Sequence, residues 1–364
     1  RRNRMRRSFG RAEWLCLNIL LVLARTAFAQ TNSPSERSPP VSLATPDGPL
    51  VLAKQGSFFI SEQTVETSFP SGTGTPPSGH ISAMGMYVQY QIPRHRNRHA
   101  YPVVMVHGSA HTGKTYEETP DGRMGWAEYF VRRGTPVYVV DHSGRARSGF
   151  DPSSTNRAKL ESNAALVPSF RKFTNEQAWT IFRFGASPFV PYENTQFPIT
   201  AREQYFAQIV PNTETSYPDS GQRTVAALVK LLDRIGPAVI LVHSQSGRYG
   251  IGAAIARPGL VKAVVSVEPS TCAVSDASLE AVFNRVPFVT MFGDFQGGNP
   301  VWQARMVDCV NVADRIKAVR GTAENIYLPD RGIRGNSHML MMDLNNRQLA
   351  DIILAWLVRY ARVQ

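Results

Sequence analysis

A run of apolar residues that stops abruptly at a serine constrains the fold of this chain more than any other feature. Residues 239–242 read Val-Ile-Leu-Val, His243 and Ser244 follow, and a segment rich in small residues begins at Gly247. A buried parallel strand that ends in a sharp turn, with a helix starting at once beneath it, has this pattern. The turn pushes the serine hydroxyl clear of the backbone. The pattern therefore predicts a nucleophile elbow, and the glycines and alanines at 247–254 favour close packing of its helix.

Two serines compete for the position of the nucleophile in this elbow. The tight turn leaves room only for small residues two positions before and two positions after the nucleophile. With Ser244 as nucleophile, these positions hold Val242, which is too large, and Ser246, which fits. With Ser246 as nucleophile, they hold Ser244, which fits, and Arg248, which does not. Spacing alone therefore leaves Ser244 and Ser246 equally favoured.

Strands and helices alternate through most of the chain, which is typical of parallel βαβ units with helices on both faces of a sheet. Two segments, 56–60 and 84–92, open the sheet as antiparallel edge strands, and apolar residues alternate with their neighbours along the second. The buried strands are predicted at 103–106, 136–141, 238–242, 263–267, 288–292 and 325–328. The helices are predicted at 126–133, 223–235, 249–256, 279–284, 301–317 and 339–360. The prediction is an α/β fold with a mostly parallel sheet of about eight strands.

The N-terminal segment is predicted to be an export signal rather than part of the fold. Residues 1–29 contain a basic region, a short apolar stretch and the small-x-small pattern Ala27-Phe28-Ala29, which together indicate a signal peptide that is removed. The apolar stretch is too short to span a bilayer. Arg6-Arg7-Ser8-Phe9 also resembles a twin-arginine signal, so both export routes stay open. Residues 30–55 are predicted to be a mobile leader, and 56–364 the folded domain.

Charge gives little support to a nucleic-acid partner. The net charge of the whole chain is +12, but residues 1–29 contribute +6 of it, which leaves +6 for the remainder. No run of Lys and Arg interleaved with aromatic residues follows the signal, so no nucleic-acid surface is predicted. Two cysteines, Cys272 and Cys309, remain in the exported chain and predict one disulfide bond. The absence of CxxC and HxxxH pairs predicts no metal site, and no cofactor is expected.

The alternation breaks over residues 151–220, a segment too long for a plain loop. It is rich in large rings, among them Trp179, Phe182, Phe184 and Tyr205. One interpretation is a cap that covers the site and lines a pocket for a hydrophobic or aromatic small molecule. The other is a satellite core that only packs on the sheet edge, and the two interpretations are compatible.

A serine nucleophile needs a base, and the base an orienting acid. His338 lies just before the last predicted helix, and no other histidine follows the elbow. Two acids follow strands at the same edge of the sheet, Glu268 after 263–267 and Asp294 after 288–292. The residues themselves leave Glu268 and Asp294 nearly even. The backbone N–H groups of Ser109 and Gln245 are the predicted oxyanion donors, one from the loop after 103–106 and one directly after Ser244.

Several motifs resemble those of a small group of secreted bacterial α/β-hydrolase esterases. The string His243-Ser244-Gln245-Ser246-Gly247 is similar to the His-Ser-Gln-Gly-Gly elbow of α/β-hydrolases, with Ser246 in place of the first glycine. Further matching segments are 56–59, 107–108, 119–123, 125–126, 141–148, 267–269 and 335–343. The resemblance implies an α/β-hydrolase fold whose acid is a glutamate after the sixth strand. Carried over by residue, it implies Ser244 as nucleophile, Glu268 as acid and His338 as base.

These observations predict an exported, periplasmic or secreted serine esterase that acts on a small-molecule ester. Hydrolysis of an amide, lactone or thioester by the same residues is the alternative within enzymes. An exported binding protein on a hydrolase scaffold is the alternative outside enzymes, although a complete triad argues against it. The sequence leaves the acyl and alcohol specificity and the oligomeric state, a homodimer included, open.

Overall fold

The computed structural model describes residues 48–68 and 77–363. The predicted signal peptide, 1–29, and the first part of the predicted leader, 30–47, lie outside the described residues. The first strand begins at Leu52, ahead of the predicted start of order at Gly56. The last residues of the predicted leader therefore belong to the sheet.

Ten strands form two sheets in the described part of the chain. The strands are β1 (Leu52–Ile60), β2 (Gln63–Ser68), β3 (Ser78–Ala83), β4 (Met86–Pro93), β5 (Val103–Val106), β6 (Val137–Val140), β7 (Ala238–His243), β8 (Val261–Val267), β9 (Phe288–Phe292) and β10 (Ala323–Tyr327). Eight of them form the main sheet in the order β1-β4-β6-β5-β7-β8-β9-β10, and β2 and β3 form a separate hairpin. β4 pairs antiparallel with β1 and β6, whereas the other neighbours are parallel. The predicted eight-stranded, mostly parallel sheet is confirmed.

Helices follow most of the parallel strands. The α-helices are α1 (Lys114–Glu117), α2 (Trp126–Arg132), α3 (Ser153–Leu160), α4 (Asn175–Ile181), α5 (Arg202–Ala207), α6 (Ser220–Ile235), α7 (Gly247–Ala256), α8 (Asp276–Ser278), α9 (Pro300–Ala318) and α10 (Asn346–Tyr360). A π-helical turn spans Leu279–Phe283 directly after α8, and 3₁₀ turns span 146–148, 164–166, 199–201, 213–215, 244–246 and 328–331. α3 to α5 lie in the insertion at 151–220.

Successive residues of each central strand face opposite sides of the sheet, because side chains alternate along a strand. In β7, Val239 and Leu241 pack into the core that α2, α10 and the insertion cover. Ile240 and Val242 pack into the core on the opposite face, with α6, α7 and α9. Every residue of β7 is buried, as expected for a strand covered on both faces. The result is a sheet between two helical layers.

Gly250 explains the small residues of the helix after the elbow. A Cβ atom at Gly250 would lie 2.9 Å from Cγ1 of Val242, closer than side chains approach without displacing one another. Because Gly250 carries no side chain, α7 packs directly against β7. This contact supports the close approach that the sequence of the elbow predicts.

The rings of the insertion are mostly part of the main core. Trp179, Phe184, Phe197 and Tyr205 are buried and pack into the same cluster as β5, β7 and α10. A few rings stay outside it, and Phe170 is 41% exposed. The aromatic cluster therefore anchors the insertion to the main core rather than forming a separate satellite core, and the same cluster extends to the predicted site.

Two segments differ from the sequence-based expectation. The predicted helix at 339–360 begins only at Asn346, because the carboxylate of Asp343 accepts hydrogen bonds from the backbone N–H and hydroxyl of Ser337 and closes a buried turn instead. The hairpin of β2 and β3 was not predicted. Its strands carry mainly polar and small residues, so they lack the apolar alternation by which strands are recognised.

The predicted disulfide is confirmed: Cys272 and Cys309 are bonded, with Cα atoms 5.0 Å apart. Cys272 lies in the loop after β8, and Cys309 lies in α9. The carboxylate of Asp308 also accepts a hydrogen bond from the backbone N–H of Cys272 at 3.1 Å. The loop that begins with Glu268 is therefore tied to α9 by a covalent bond and a hydrogen bond.

We expect replacement of both cysteines by serine to lower the free energy of unfolding by about 4 kcal/mol, because the bond closes a loop of 37 residues. Urea denaturation of the double variant and of the oxidised wild type measures the difference. Wild type treated with a reductant is the control and should unfold at the same urea concentration as the variant. Equal midpoints for the oxidised wild type and the variant would contradict the expectation.

Candidate active site

Ser244 lies at the carboxyl end of β7, where the strand turns sharply into α7. Its backbone φ angle is 51°, in the left-handed region that residues other than glycine rarely adopt. Such strain costs about 1–3 kcal/mol and persists where the surroundings enforce it. A 3₁₀ turn at 244–246 joins the strand to the helix. This is the strand, turn and helix that the sequence predicts for a nucleophile elbow.

The alternative nucleophile, Ser246, is held in a hydrogen-bonded network. Its hydroxyl donates to the carbonyl oxygen of His107 and lies 2.8 Å from Nε2 of His142. Ser246 is fully buried, whereas Ser244 retains 7% of its exposure. Within the described chain, the Ser244 hydroxyl makes no hydrogen bond to another side chain. The Ser246 hydroxyl is therefore engaged in contacts that the Ser244 hydroxyl lacks.

The structure brings Glu268 and His338 together behind the elbow. Nδ1 of His338 lies 2.9 Å from Oε2 of Glu268, and both side chains are buried. Nε2 of His338 is buried and has no hydrogen-bond partner among the described residues. The imidazole therefore has one nitrogen held by a carboxylate and the other free for a proton. Hydrogen bonds to a nucleophile are often long before substrate binds.

Ser244 and Glu268 occupy equivalent positions on neighbouring strands. β7 and β8 are parallel, and His243 pairs with Val267, so the next residue of each strand is Ser244 and Glu268. Glu268 also has a left-handed backbone, with a φ angle of 49°. The backbone N–H of Ser270 donates to the carbonyl oxygen of Ser244 at 3.0 Å. The turn after β8 is thus attached to the elbow directly.

The carboxylate of the alternative acid, Asp294, is hydrogen-bonded to backbone groups. Its carboxylate accepts hydrogen bonds from the backbone N–H of Phe295 at 2.7 Å and of Gly335 at 3.0 Å. Its own backbone N–H donates to the carbonyl oxygen of Asn336 at 2.8 Å. In the described residues, its carboxylate makes no ion pair or hydrogen bond with His338. Asp294 holds the loop that carries His338.

Sequence reasoning missed Arg183, an additional charged residue at the site. Arg183 lies in the insertion just after α4, and its guanidinium group forms a bidentate ion pair with the carboxylate of Glu268. It follows Phe182, whose ring stacks against that of His338 with centroids 5.7 Å apart. The ring of Trp302 from α9 lies 4.4 Å from the His338 ring. A charged residue between two phenylalanines was the sequence signal that could have singled it out.

Burial and neighbouring charges determine the protonation states of His338 and Glu268. Burial lowers the pKa of His338 to about 4, although the hydrogen bond that its Nδ1 donates to Glu268 acts in the opposite direction. Burial alone would raise the pKa of Glu268, but the charge of Arg183 and the hydrogen bond from His338 hold it well below its usual range. At neutral pH the pair is therefore a carboxylate beside a neutral imidazole, the state that a general base requires.

The predicted oxyanion donors lie on the loop after β5 and at the start of the 3₁₀ turn. Gly108 brings this loop against the elbow, because a Cβ atom there would lie 2.9 Å from Cβ of Ser244 and 2.6 Å from Nδ1 of His243. The first backbone N–H groups of a helical turn have no acceptor inside the turn. The backbone N–H of Gln245, in the turn at 244–246, is therefore available to a ligand. The N–H of Ser109 has no partner among the described residues.

The end of the insertion holds this loop in place. Nδ2 of Asn212 donates to the Ser109 hydroxyl at 2.6 Å, and its Oδ1 accepts from the backbone N–H of Ala110 at 2.9 Å. The buried Arg145 donates to the Gly108 carbonyl oxygen at 3.1 Å and forms an ion pair with Glu214. The insertion thus contacts the predicted site at both the acid and the oxyanion loop.

Two comparisons with known proteins agree with this architecture. The chain is 40% identical to the protein described as "The Atomic Resolution Structure of a Novel Bacterial Esterase", with a TM-score of 0.81, over 87% of this chain and 99% of that one. It is 26% identical over 331 residues to "Probable secreted lipase phiG" from Fungal sp. (strain ATCC 74256), over 77% of this chain and 87% of that protein. No family model matches the chain.

The sheet order, the elbow and these likenesses define the class of the protein. The chain belongs to the α/β-hydrolase superfamily, as a member of the esterase family that the bacterial enzyme represents. In residues 48–68 and 77–363, no helix has both the length and the apolar character needed to cross a bilayer. Over the same residues, no group of three or more His, Cys, Asp or Glu side chains is arranged to hold a metal ion.

We expect the free energy of unfolding to fall as the pH is lowered from about 6.5 towards 4, because the unfolded chain then takes up protons that the folded chain does not. Burial lowers the pKa of a set of histidines, with His111 at about 3 and His338 at about 4, and His107, His142 and His243 also below their ordinary value. Each contributes up to about 1.4 kcal/mol per pH unit. Asp343, whose pKa burial raises to about 6, acts in the opposite direction.

Urea denaturation at a series of pH values between about 5 and 8 measures this dependence. The variant His338→Gln is the matched control, because it removes one of these histidines. The free energy of unfolding should then change less steeply with pH, by the contribution of that one histidine. A free energy of unfolding that stays constant or rises as the pH is lowered through this window would contradict the expected histidine pKa values.

Proposed function

We propose that this chain is a serine esterase that hydrolyses carboxylic esters through an acyl-enzyme, with Ser244 as nucleophile, His338 as base and Glu268 as acid. The observation that carries the proposal is the 2.9 Å contact between His338 and Glu268, behind an elbow whose serine has a left-handed backbone. The free Nε2 of His338 supports its role as the base. The likeness to a bacterial esterase supports the reaction class.

The proposed reaction has two steps that share one base. Oγ of Ser244 attacks the ester carbonyl while Nε2 of His338 takes its proton, and a tetrahedral oxyanion forms. His338 returns that proton to the leaving alkoxide, so the alcohol departs and the acyl group stays on Ser244. Water then attacks the acyl-enzyme while His338 takes its proton; His338 returns that proton to Oγ of Ser244 as the bond to the acyl group breaks, and the carboxylic acid is released. Glu268 remains ionised and stabilises the imidazolium in both steps.

The oxyanion is proposed to bind the backbone N–H groups of Ser109 and Gln245. Donors fixed before the reaction stabilise the developing negative charge without reorganising. The hydrogen bonds from Asn212 and Arg145 to this loop support its rigidity. The contact of Gly108 with the elbow supports its closeness to Ser244.

We propose a hydrophobic ester as substrate and an exported location for the enzyme. Phe182 lies 5.7 Å from the His338 ring, and Phe173 packs 5.9 Å from Phe182, so the insertion, 151–220, presents rings to the site as a cap would. The disulfide bond between Cys272 and Cys309 is typical of exported proteins. The name of the fungal relative, a probable secreted lipase, supports both export and an ester substrate.

We expect a fluorophosphonate probe to label the wild type on the peptide that contains Ser244, because only an activated serine reacts with it. Ser244→Ala should abolish labelling and lower kcat on p-nitrophenyl esters by about 10⁴-fold or more. The matched control, Ser246→Ala, should retain labelling, since that hydroxyl binds the His107 carbonyl oxygen. Labelling that survives Ser244→Ala and disappears with Ser246→Ala would place the nucleophile at Ser246, and a folded wild type that is not labelled would contradict the proposal.

The two acids can be separated by a pair of isosteric variants. Glu268→Gln should lower kcat by about 10⁴-fold, as the loss of the orienting carboxylate does in other triads. Asp294→Asn should lower kcat far less, since its carboxylate binds backbone N–H groups of Phe295 and Gly335. The kcat of both variants on one p-nitrophenyl ester gives the answer. A larger loss for Asp294→Asn would assign the acid to Asp294.

A further inference from the structure

The insertion supplies one charged side chain to the buried centre of the site. Nη2 of Arg183 donates to Oε1 of Glu268 at 2.6 Å, and Nη1 donates to Oε2 at 2.9 Å. Nη1 also lies 3.5 Å from Nδ1 of His338. Arg183 is 2% exposed and Glu268 is fully buried. A bidentate ion pair of this kind fixes the plane of the carboxylate as well as its position.

The guanidinium group is itself held on several sides. Its Nε donates to the carbonyl oxygen of Asp294 at 3.1 Å, and its Cζ lies 4.9 Å from the centre of the Trp302 ring. The backbone φ angle of Arg183 is 58°. A left-handed backbone at a residue of this size persists only where the surrounding structure enforces it. Arg183 is therefore fixed in position, whereas a surface arginine would sample many rotamers.

The other contacts of Glu268 do not fix its carboxylate in the same way. The backbone N–H of Gly293 donates to Oε1 at 2.5 Å, and Nε2 of Gln296 lies 3.4 Å from the same oxygen. Among residues 48–68 and 77–363, Oε2 is hydrogen-bonded to Arg183 and His338 alone. Without the guanidinium group, the orientation of Oε2 would depend on the histidine that it is meant to orient.

We propose that Arg183 is a positioning residue that holds Glu268 in the orientation required by His338, so that a docked insertion is a condition for a working acid and base. The proposal rests on the proposed function of Ser244, Glu268 and His338. It extends that function by giving the insertion a part in the assembly of the triad, beyond covering the substrate.

The charge of Arg183 gives the proposal a measurable signature. Arg183 and Glu268 neutralise each other, so the neutral imidazole of His338 faces a balanced pair. A neutral residue in place of Arg183 would leave an unbalanced carboxylate, which favours the imidazolium and raises the pKa of His338. The charged and titratable groups that face His338 are Glu268 after β8, Arg183 from the insertion, Arg305 from α9, His111 after β5 and His243 in the elbow.

The test compares Arg183→Met, which removes the positive charge, with Arg183→Lys, which keeps the charge but cannot form the bidentate ion pair. The matched control is Arg157→Met, in α3 of the same insertion, where the side chain is 62% exposed and pairs with Glu161 on the surface. Protein labelled with ¹⁵N-histidine is titrated by NMR, and the His338 signals are assigned by their loss in His338→Gln. The kcat and KM for a p-nitrophenyl ester are measured on the same proteins.

In Arg183→Met, we expect His338 to titrate at least about one pH unit higher than in the wild type, a tenfold change in its proton affinity. We expect kcat to fall by about 100-fold, the loss that a misplacement of about 1 Å can cause, with KM little changed. Arg183→Lys should restore the titration towards that of the wild type but only part of kcat. Arg157→Met should match the wild type in both measurements.

An unchanged titration of His338 in Arg183→Met would overturn the role of Arg183. If Arg183→Met does not fold, Arg183→Lys provides the test. A wild-type kcat together with an unchanged Nδ1 signal of His338 would show that the bidentate ion pair is dispensable, which would also overturn the proposed role. The NMR titration does not depend on turnover. A wild type that hydrolyses no ester would therefore contradict the proposed function, whereas the titration contradicts or supports the role of Arg183 by itself.

Discussion

The rest of the site depends on the burial of one carboxylate. Glu268 is fully enclosed, and a buried charge without partners is among the costliest groups that a fold can contain. The structure compensates it with the guanidinium group of Arg183, the backbone N–H of Gly293 and the imidazole of His338. Each partner comes from a different segment. The need to satisfy this one charge therefore brings the insertion, the loop after β9 and the loop before α10 to the same point.

The parallel sheet supplies the second constraint. β7 and β8 end at the same level, and both pass into a left-handed residue, Ser244 and Glu268. A left-handed residue turns the chain out of the sheet at once, so both side chains stay at its carboxyl edge, where ligands bind in open α/β sheets. The disulfide bond from Cys272 to α9 then keeps the second turn in place. Backbone strain at two neighbouring strand ends is thus compatible with a rigid site.

The sequence predicted what depends on local patterns. The strands of the main sheet, the elbow and the paired cysteines leave a periodicity or a spacing that can be read directly, whereas the polar strands β2 and β3 do not. Spacing left Ser244 and Ser246 open, and likewise Glu268 and Asp294, because the contacts of these residues are made with partners far away in the chain. Arg183 and Asn212 were missed for the same reason. Arg183 contacts Glu268, which is 85 positions away, and Asn212 contacts Ser109, which is 103 positions away. No periodicity in the sequence indicates such a pair.

The ion pair between Arg183 and Glu268 has a consequence for the evolution and redesign of such enzymes. Insertions of this kind are often treated as interchangeable modules that alter specificity while the sheet retains the chemistry. Here the insertion neutralises a charge that the sheet cannot satisfy by itself, and it also secures the oxyanion loop through Asn212. A graft from another hydrolase would leave Glu268 without its cation unless it carried an arginine at the same place. An exchange of the insertion would therefore disturb the buried carboxylate of Glu268 as well as the rings that the insertion contributes.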